Sequence, residues 1–297
     1  MLRVLKWVGI IVAGLLVVFV ITVYGVSAAA FKKTHPIPDE APVVVPSDSV
    51  AIARGEHLVK ATAVCAECHG TDGGGSLMGA GGPFEVLAAP NLTRGKGSVV
   101  NDFTPADWER AVRHGVRADG TSLIVMPSEA FTHLTDEDLG SIIAYLRQAP
   151  PVDREMPRSG FSFLGRALVG FGAMPVLAAG NTPRVAHLSA VEPDTTAAYG
   201  KYLAEIGGCR GCHGPGLSGG SAAGPPGSPP ASNLTPAGIG RWSRDDFARA
   251  VREGVRPSGA PINEVMPWKV FAGMTDDEID ALWAYLRSVP PKEYGGN

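Results

Sequence analysis

Cysteine is scarce in this chain: there are four in 297 residues, and all four fall in two short clusters, so none remains to form a disulfide elsewhere. A basic excess is also missing. Lys and Arg number 26 against 29 Asp and Glu, a formal net charge of −3, which lacks the electrostatic footprint of nucleic-acid binding and predicts no nucleic-acid partner. No stretch alternates apolar and polar residues clearly enough to mark a strand, so helical periodicity has no competitor. Long apolar runs are few, and the one clear case is at the N-terminus. Gly, at 38, and Pro, at 25, are plentiful and predict long loops. The length leaves room for about two domains.

The two cysteine clusters are Cys65-Ala66-Glu67-Cys68-His69 and Cys209-Arg210-Gly211-Cys212-His213. C-x-x-C-H is the attachment signature of c-type haem, in which both thiols form thioethers with the porphyrin and the adjoining histidine ligates the iron. A structural zinc site would bring its second ligand pair within roughly twenty residues, and these clusters lie much further apart. A thioredoxin-like C-x-x-C would need a βαβ context and no histidine after it. The expectation is two covalently attached haem c groups, held by Cys65, Cys68, Cys209 and Cys212, with His69 and His213 as proximal iron ligands. Gly- and Pro-rich loops suit a fold that wraps such a group and borrows its apolar surface as core.

The second half repeats the first in register. Asn91-Leu92-Thr93 falls on Asn233-Leu234-Thr235, residues 111–117 on 250–256, Met126-Pro127 on Met266-Pro267, and residues 144–147 on 284–287, each followed by a Pro-Pro pair. Each copy reads as a small set of helices. A short helix (54–64 or 199–206) delivers the cysteines. After a Gly-rich loop, a second helix starts at Thr104-Pro105 with Asp107, or at Ser243 with Asp245 and Asp246, and stops at Gly115 or Gly254. A last helix opens at Thr135 or Thr275, where Thr275-x-x-Glu278 is a capping box. Its apolar positions, Leu139, Ile142, Ile143, Leu146 and Ile279, Leu282, Trp283, Leu286, form one buried face. The predicted fold class is all-α, with two tandem domains.

The repeat also selects the second iron ligand. Apart from the initiator there are six methionines, and only Met126 and Met266 occupy matching positions. Each precedes a proline, which pushes it out of the α region onto a loop free to reach the iron. A core-filling role is the alternative for both. Met274 reads as core or haem packing, and Trp108, opposite Phe247, as core. His35, His57, His114, His133 and His187 have no matched partner and read as surface or structural. Arg113, Arg252, Arg117 and Arg256 recur and could pair with haem propionates; a solvated helix end is the equal alternative. Asn91 and Asn233 could donate to the same propionates or shape their own loops.

From Trp7 to Phe31 there is no charge, and Val8 to Val26 is almost wholly apolar, long enough for a helix to cross the hydrocarbon core. Residues 1–33 therefore read as a retained transmembrane anchor; a cleaved signal ending near Ser27-Ala28-Ala29-Ala30 is the alternative. Residues 34–50, with Pro36, Pro38, Pro42 and Pro46, read as a semi-extended tether holding the next domain off the surface. Domain one is then 51–151 and domain two 196–297. Between them, 152–195 carries an apolar stretch, 161–179, expected as a helix packed between the domains, with a membrane partner as the alternative.

The second copy, with Cys-x-x-Cys-His, Asn-Leu-Thr-Pro, Gly-Ile-Gly-x-Trp-Ser, Phe-Ala-Arg-Ala-Val-Arg-x-Gly-Val, Met-Pro and Met-Thr-Asp-Asp-Glu-Ile, resembles the cytochrome c subunits of membrane-bound alcohol, gluconate and sugar dehydrogenases. The likeness covers about residues 51–291. It implies cytochrome c domains with His/Met haems that pass single electrons from a periplasmic donor toward quinone or an oxidase. It also implies a cytoplasmic N-terminus and periplasmic haem domains on a single-pass inner-membrane anchor, since covalent haem is attached on the outer side of the bacterial membrane. That family usually carries three haem domains. One anchor followed by two also resembles the dihaem cytochrome subunit of certain haem-copper oxidases. The expected partners are the membrane and a dehydrogenase, a quinol-oxidising complex or a terminal oxidase. Filled His/Met coordination favours electron transfer over catalysis by this chain itself, so no catalytic residue is assigned. The rivals are a dihaem peroxidase-type enzyme and a redox-sensing or structural subunit.

Overall fold

The computed structural model describes residues 1–37, 41–220 and 228–296. It opens with α1 (Leu2–Lys32), free of charge from Trp7 to Phe31 and mostly exposed, with Val23 and Ser27 buried. Among the described residues it is the one helix long and apolar enough to cross a membrane.

The first copy runs α2 (Ser49–His57), α3 (Cys65–His69), β1 (Ser76–Gly81), β2 (Phe84–Ala89), α4 (Pro105–His114), α5 (Ser128–Phe131) and α6 (Asp136–Gln148). The connecting segment holds β3 (Gly160–Phe161), α7 (Phe163–Gly170) and α8 (Ala178–Asn181). The second copy follows as α9 (Ala197–Ile206), α10 (Cys209–His213), α11 (Pro236–Ile239), α12 (Arg244–Glu253), α13 (Trp268–Phe271) and α14 (Asp276–Ser288). The helix limits follow local chemistry. Thr104, Ser243 and Thr275 close capping boxes with Asp107, Asp246 and Glu278. Gly115 and Gly254 stop α4 and α12 in the left-handed conformation that glycine adopts without strain.

In each copy the entry helix crosses the last helix backbone to backbone. A Cβ on Gly55 would lie 1.9 Å from the Ser141 carbonyl oxygen, and one on Gly200 would lie 1.8 Å from that of Ala281. From Gly55 to Cys65 the chain is one residue longer than from Gly200 to Cys209. A π-helical turn over Leu58–Thr62 absorbs the extra residue. The expected apolar faces of α6 and α14 are buried, except that Trp283 is only partly covered and stacks on Phe247. Trp108 and Phe247 are core residues, as is Met274. The two copies share a continuous core: Phe131 and Leu134 of the first and Leu203 and Ile206 of the second belong to one buried cluster, and α5 touches α9.

Three expectations change. A small three-stranded antiparallel sheet, order β1-β2-β3, replaces the plain Gly-rich loop after the first haem motif. Gly79 and Gly81 sit in β1 at positive φ and break its register, which hides the strand from any alternation test. The apolar connecting helix does not pack between the copies. It lies along α1, with the Phe163 ring 6.0 Å from Phe19 and Phe161 stacked on Phe31 at 4.9 Å. The two copies already pack on one another through α5 and α9, and α1 offers the uncovered apolar surface. Finally, the described residues of 34–50 lie against the first copy instead of holding it at a distance. His35 donates its N–H to the Gly120 carbonyl at 2.9 Å, Val43 enters the core, and the Val44 carbonyl meets Gly140 of α6. Pro38, within that stretch, lies outside the described residues.

Candidate cofactor site

Each C-x-x-C-H forms a short helix entered through a left-handed residue, Val64 at φ 47° and Gly208 at φ 71°. That sharp turn aims the first cysteine and the histidine of each motif inward. Gly70 and Gly214, also at positive φ, end the two helices.

Both histidines are buried and held alike. His69 Nδ1 lies 2.9 Å from the Pro90 carbonyl oxygen, and His213 Nδ1 lies 2.7 Å from that of Ser232. A carbonyl only accepts, so Nδ1 must carry the proton in both rings, and Nε2 keeps its lone pair. Burial lowers both imidazole pKa values, against the opposing pull of these carbonyls, and keeps the rings neutral. A neutral ring locked by Nδ1 with Nε2 free is the arrangement an iron-ligating histidine requires.

These groups open onto one cavity of about 890 Å³ that runs across both copies. Its wall includes Cys65, Cys68, His69 and Met126 from the first copy and Cys209, Cys212, His213 and Met266 from the second. Around them stand apolar side chains, among them Leu92, Phe103, Trp108 and Leu146, and Leu234, Phe247, Leu282 and Leu286. Protein interiors are close-packed, and a void of this size and character inside a core suits a large apolar group. Burial pushes the Cys65 and Cys209 thiols up to about 12 and raises those of Cys68 and Cys212. The donor set, the free Nε2 atoms and the apolar cavity fit haem on both motifs.

The structure brings the four cysteines, both motif histidines and both matched methionines to this wall. It does not bring Arg113, Arg252, Asn91 or Asn233 there. Arg113 is fully buried, bonded to Glu109 at 2.6 Å, Asp136 at 2.7 Å and the Leu134 carbonyl at 2.9 Å. Arg252 repeats this with Asp276 and the Met274 carbonyl. The two arginines thus tie α4 and α12 to the starts of α6 and α14. Asn91 accepts from the Thr93 N–H and hydroxyl and donates to the Val152 carbonyl at 2.7 Å. Asn233 makes the same bonds to Thr235 and the Lys292 carbonyl. Both asparagines clamp the loop after the haem histidine to the Pro-Pro segment that ends each copy. Of the recurring arginines, Arg256 does line the cavity, and Arg117 bonds Thr121 and the Ser122 carbonyl.

Sequence reading missed several wall residues. His133, Glu205 and Arg210 line the cavity where the copies meet; Arg210 bonds Glu205 at 2.9 Å and the Tyr285 hydroxyl at 2.6 Å. Met78, from the unforeseen sheet, also reaches the wall. Arg210 stands inside a motif, so its position was visible; the others share no local signal.

Fold and site together define a tandem c-type cytochrome. The first copy, residues 50–146, matches the family model described as cytochrome c oxidase, cbb3-type, subunit III, and residues 197–290 match that for cytochrome c. The chain carries two cytochrome c domains, each with its cysteine pair for one covalently bound haem c. It is 31% identical over 288 residues to the fructose dehydrogenase cytochrome subunit of Gluconobacter japonicus, covering 89% of this chain and 57% of that one. It is 29% identical over 285 residues to the gluconate 2-dehydrogenase cytochrome c subunit of Pantoea cypripedii, covering 83% and 61%. A protein named diheme cytochrome c-type from Cereibacter sphaeroides is 27% identical over 291 residues, covering 90% and 95%. The chain spans about three fifths of the length of the two dehydrogenase subunits.

Proposed function

We propose that this chain relays single electrons between redox partners at the periplasmic face of a bacterial inner membrane, anchored by α1 as a single-pass helix. Domain 51–151 holds one haem on Cys65 and Cys68, with His69 and Met126 as iron ligands. Domain 196–297 holds the other on Cys209 and Cys212, with His213 and Met266. The observation that carries this reading is the shared wall: one cavity is lined by both locked histidines and both matched methionines. When bound, haem would supply a reversible one-electron couple, and Met126 and Met266 would offer it soft thioether donors that favour the reduced iron. The Pro90 and Ser232 carbonyls fix the tautomer of His69 and His213, and the two methionines would offer donors that carry no ionisable proton.

The donor is proposed to be a dehydrogenase acting on a sugar or sugar acid, in keeping with the names of two of the relatives. A terminal oxidase partner is the second reading, favoured by the family model that the first copy matches.

The test is spectroscopic. Pyridine haemochrome analysis of the purified chain should return two haems per polypeptide. The near-infrared band of ferric His/Met haem should fall by half in Met126→Ala, by half in Met266→Ala, and vanish in the double variant. Wild-type protein that binds cyanide or carbon monoxide readily at one haem would move the assignment to the peroxidase-type rival.

A further inference from the structure

We propose that α7 lies in the outer interface of the lipid bilayer, with Phe163, Leu164 and Phe171 among the acyl chains. The first domain is then seated on the membrane by a second element beside α1. The proposal rests on the reading of α1 as a membrane span.

The level at which α7 meets α1 sets its depth. Phe163 packs on Phe19 and Tyr24, and a Cβ on Gly170 would touch Val26 at 2.6 Å. The apolar run of α1 ends at that same Val26, so α7 lies beside the last turns of a crossing that needs about twenty residues. Beside these contacts, much apolar surface stays uncovered: Phe163 is 40% exposed and Leu164 53%, as is Phe171, the residue after α7, at 58%. These side chains extend the uncovered surface of α1, where Phe19 and Tyr24 are also exposed. Contiguity with a lipid-facing helix selects acyl chains as the occupant.

The polar features match an interfacial position. Arg166, the one charged residue of α7, sets its guanidinium 5.2 Å from the Tyr24 ring centre and 5.6 Å from that of Phe31. Aromatic rings with a cation at the end of a span mark the headgroup level. With no acidic residue, α7 presents nothing that anionic headgroups would repel. The seat is also coupled to the first haem site. β3, just before α7, pairs with β2, and β2 residues Leu87, Ala88 and Ala89 form cavity wall.

The test uses the full-length holoprotein in liposomes of phosphatidylcholine and phosphatidylglycerol. Because haem occupies the native cysteines, single nitroxides can be placed through Leu164→Cys and Phe171→Cys. Leu188→Cys serves as the aqueous control and Val17→Cys reports on α1; haem absorbance confirms folding of each variant. Relaxation by oxygen should exceed relaxation by a water-soluble nickel chelate at 164 and 171, as at 17, and the order should reverse at 188. Strong nickel relaxation at 164 and 171, with 17 still oxygen-dominated, would overturn the proposal while leaving the span intact. Weak relaxation by both agents at 164 and 171 would show protein covering the patch, a partner or a second copy, and would also overturn it. Nickel access at 17 would instead refute the span on which the proposal rests.

Discussion

His57 of the first domain places its Nε2 2.9 and 2.8 Å from the two carboxylate oxygens of Glu278 in the second. The reverse contact is Tyr202, whose hydroxyl donates to Asp138 at 2.6 Å. His57 and Tyr202 each stand two residues past the crossing glycine of their entry helix. Asp138 and Glu278 each stand three past the Thr that caps their last helix. The domains are thus joined by one contact used twice about an approximate two-fold axis, with different chemistry at each end. Arg54 braces both ends, at 2.9 Å from Asp138 and 3.6 Å from Glu278.

Removing either end should loosen the joint unequally. Tyr202→Phe leaves Asp138 with Arg54 and should cost about 1 kcal/mol. Glu278→Ala strips the partner from His57 and should cost about 2–3 kcal/mol. Calorimetry in detergent is expected to show one unfolding transition for the wild type and two for Glu278→Ala. A single transition with an unmoved midpoint in that variant would show that the contact does not couple the domains.

The same joint should weaken in acid. Burial opposes the Glu278 charge, but the bond and charge of His57, the Thr275 N–H and Arg54 outweigh it and hold the carboxyl below its ordinary 4.5. A group lowered in this way contributes stability above its unfolded value and loses it as pH falls through the folded one. Midpoint temperatures should therefore drop below about pH 4.5, and Glu278→Gln should flatten that part of the profile. An identical acid profile in Glu278→Gln would assign the loss to other carboxylates.

Gly55→Ala and Gly200→Ala should each destabilise one domain by about 2–3 kcal/mol or more, because a methyl would overlap a backbone carbonyl and force the crossing helices apart. Each variant should lower occupancy or ligation of the haem in its own domain before the other. Haem content and the near-infrared band of the two variants distinguish this from a global effect.

Asn91→Ala and Asn233→Ala test what these side chains hold. Loss of the clamp should cost about 2–3 kcal/mol through unsatisfied buried groups, Val152 and Thr93 in one domain and Lys292 and Thr235 in the other. A bond to a haem propionate would instead move the reduction potential and its pH dependence with little change in stability. Thermal melts paired with potentiometry across pH separate the two roles.

Local chemistry was readable wherever it governed structure. The caps at Thr104, Ser243 and Thr275 and the stops at Gly115 and Gly254 follow from hydrogen bonds within a few residues, and all five stand where their sequence places them. Glu278 shows the limit. Its spacing from Thr275 announces a capping box, and nothing nearby announces that the same carboxylate also binds His57, more than two hundred residues earlier. Arg113 and Arg252 recur for packing: each ties two helices of its own domain. The β1–β2 hairpin was hidden because its glycines erase the alternation that marks a strand.

By itself the sequence determined the cofactor, its points of attachment, the helical class and the duplication, because thioether chemistry, caps and apolar periodicity act over a few residues. Only the tertiary structure decided that both haem motifs face one cavity and that Pro90 and Ser232 set the tautomers of His69 and His213. It alone placed the connecting helix along α1. Those outcomes depend on which distant surfaces meet, and that is settled by shape and by the competition of every apolar face for the same neighbours, which no local pattern records.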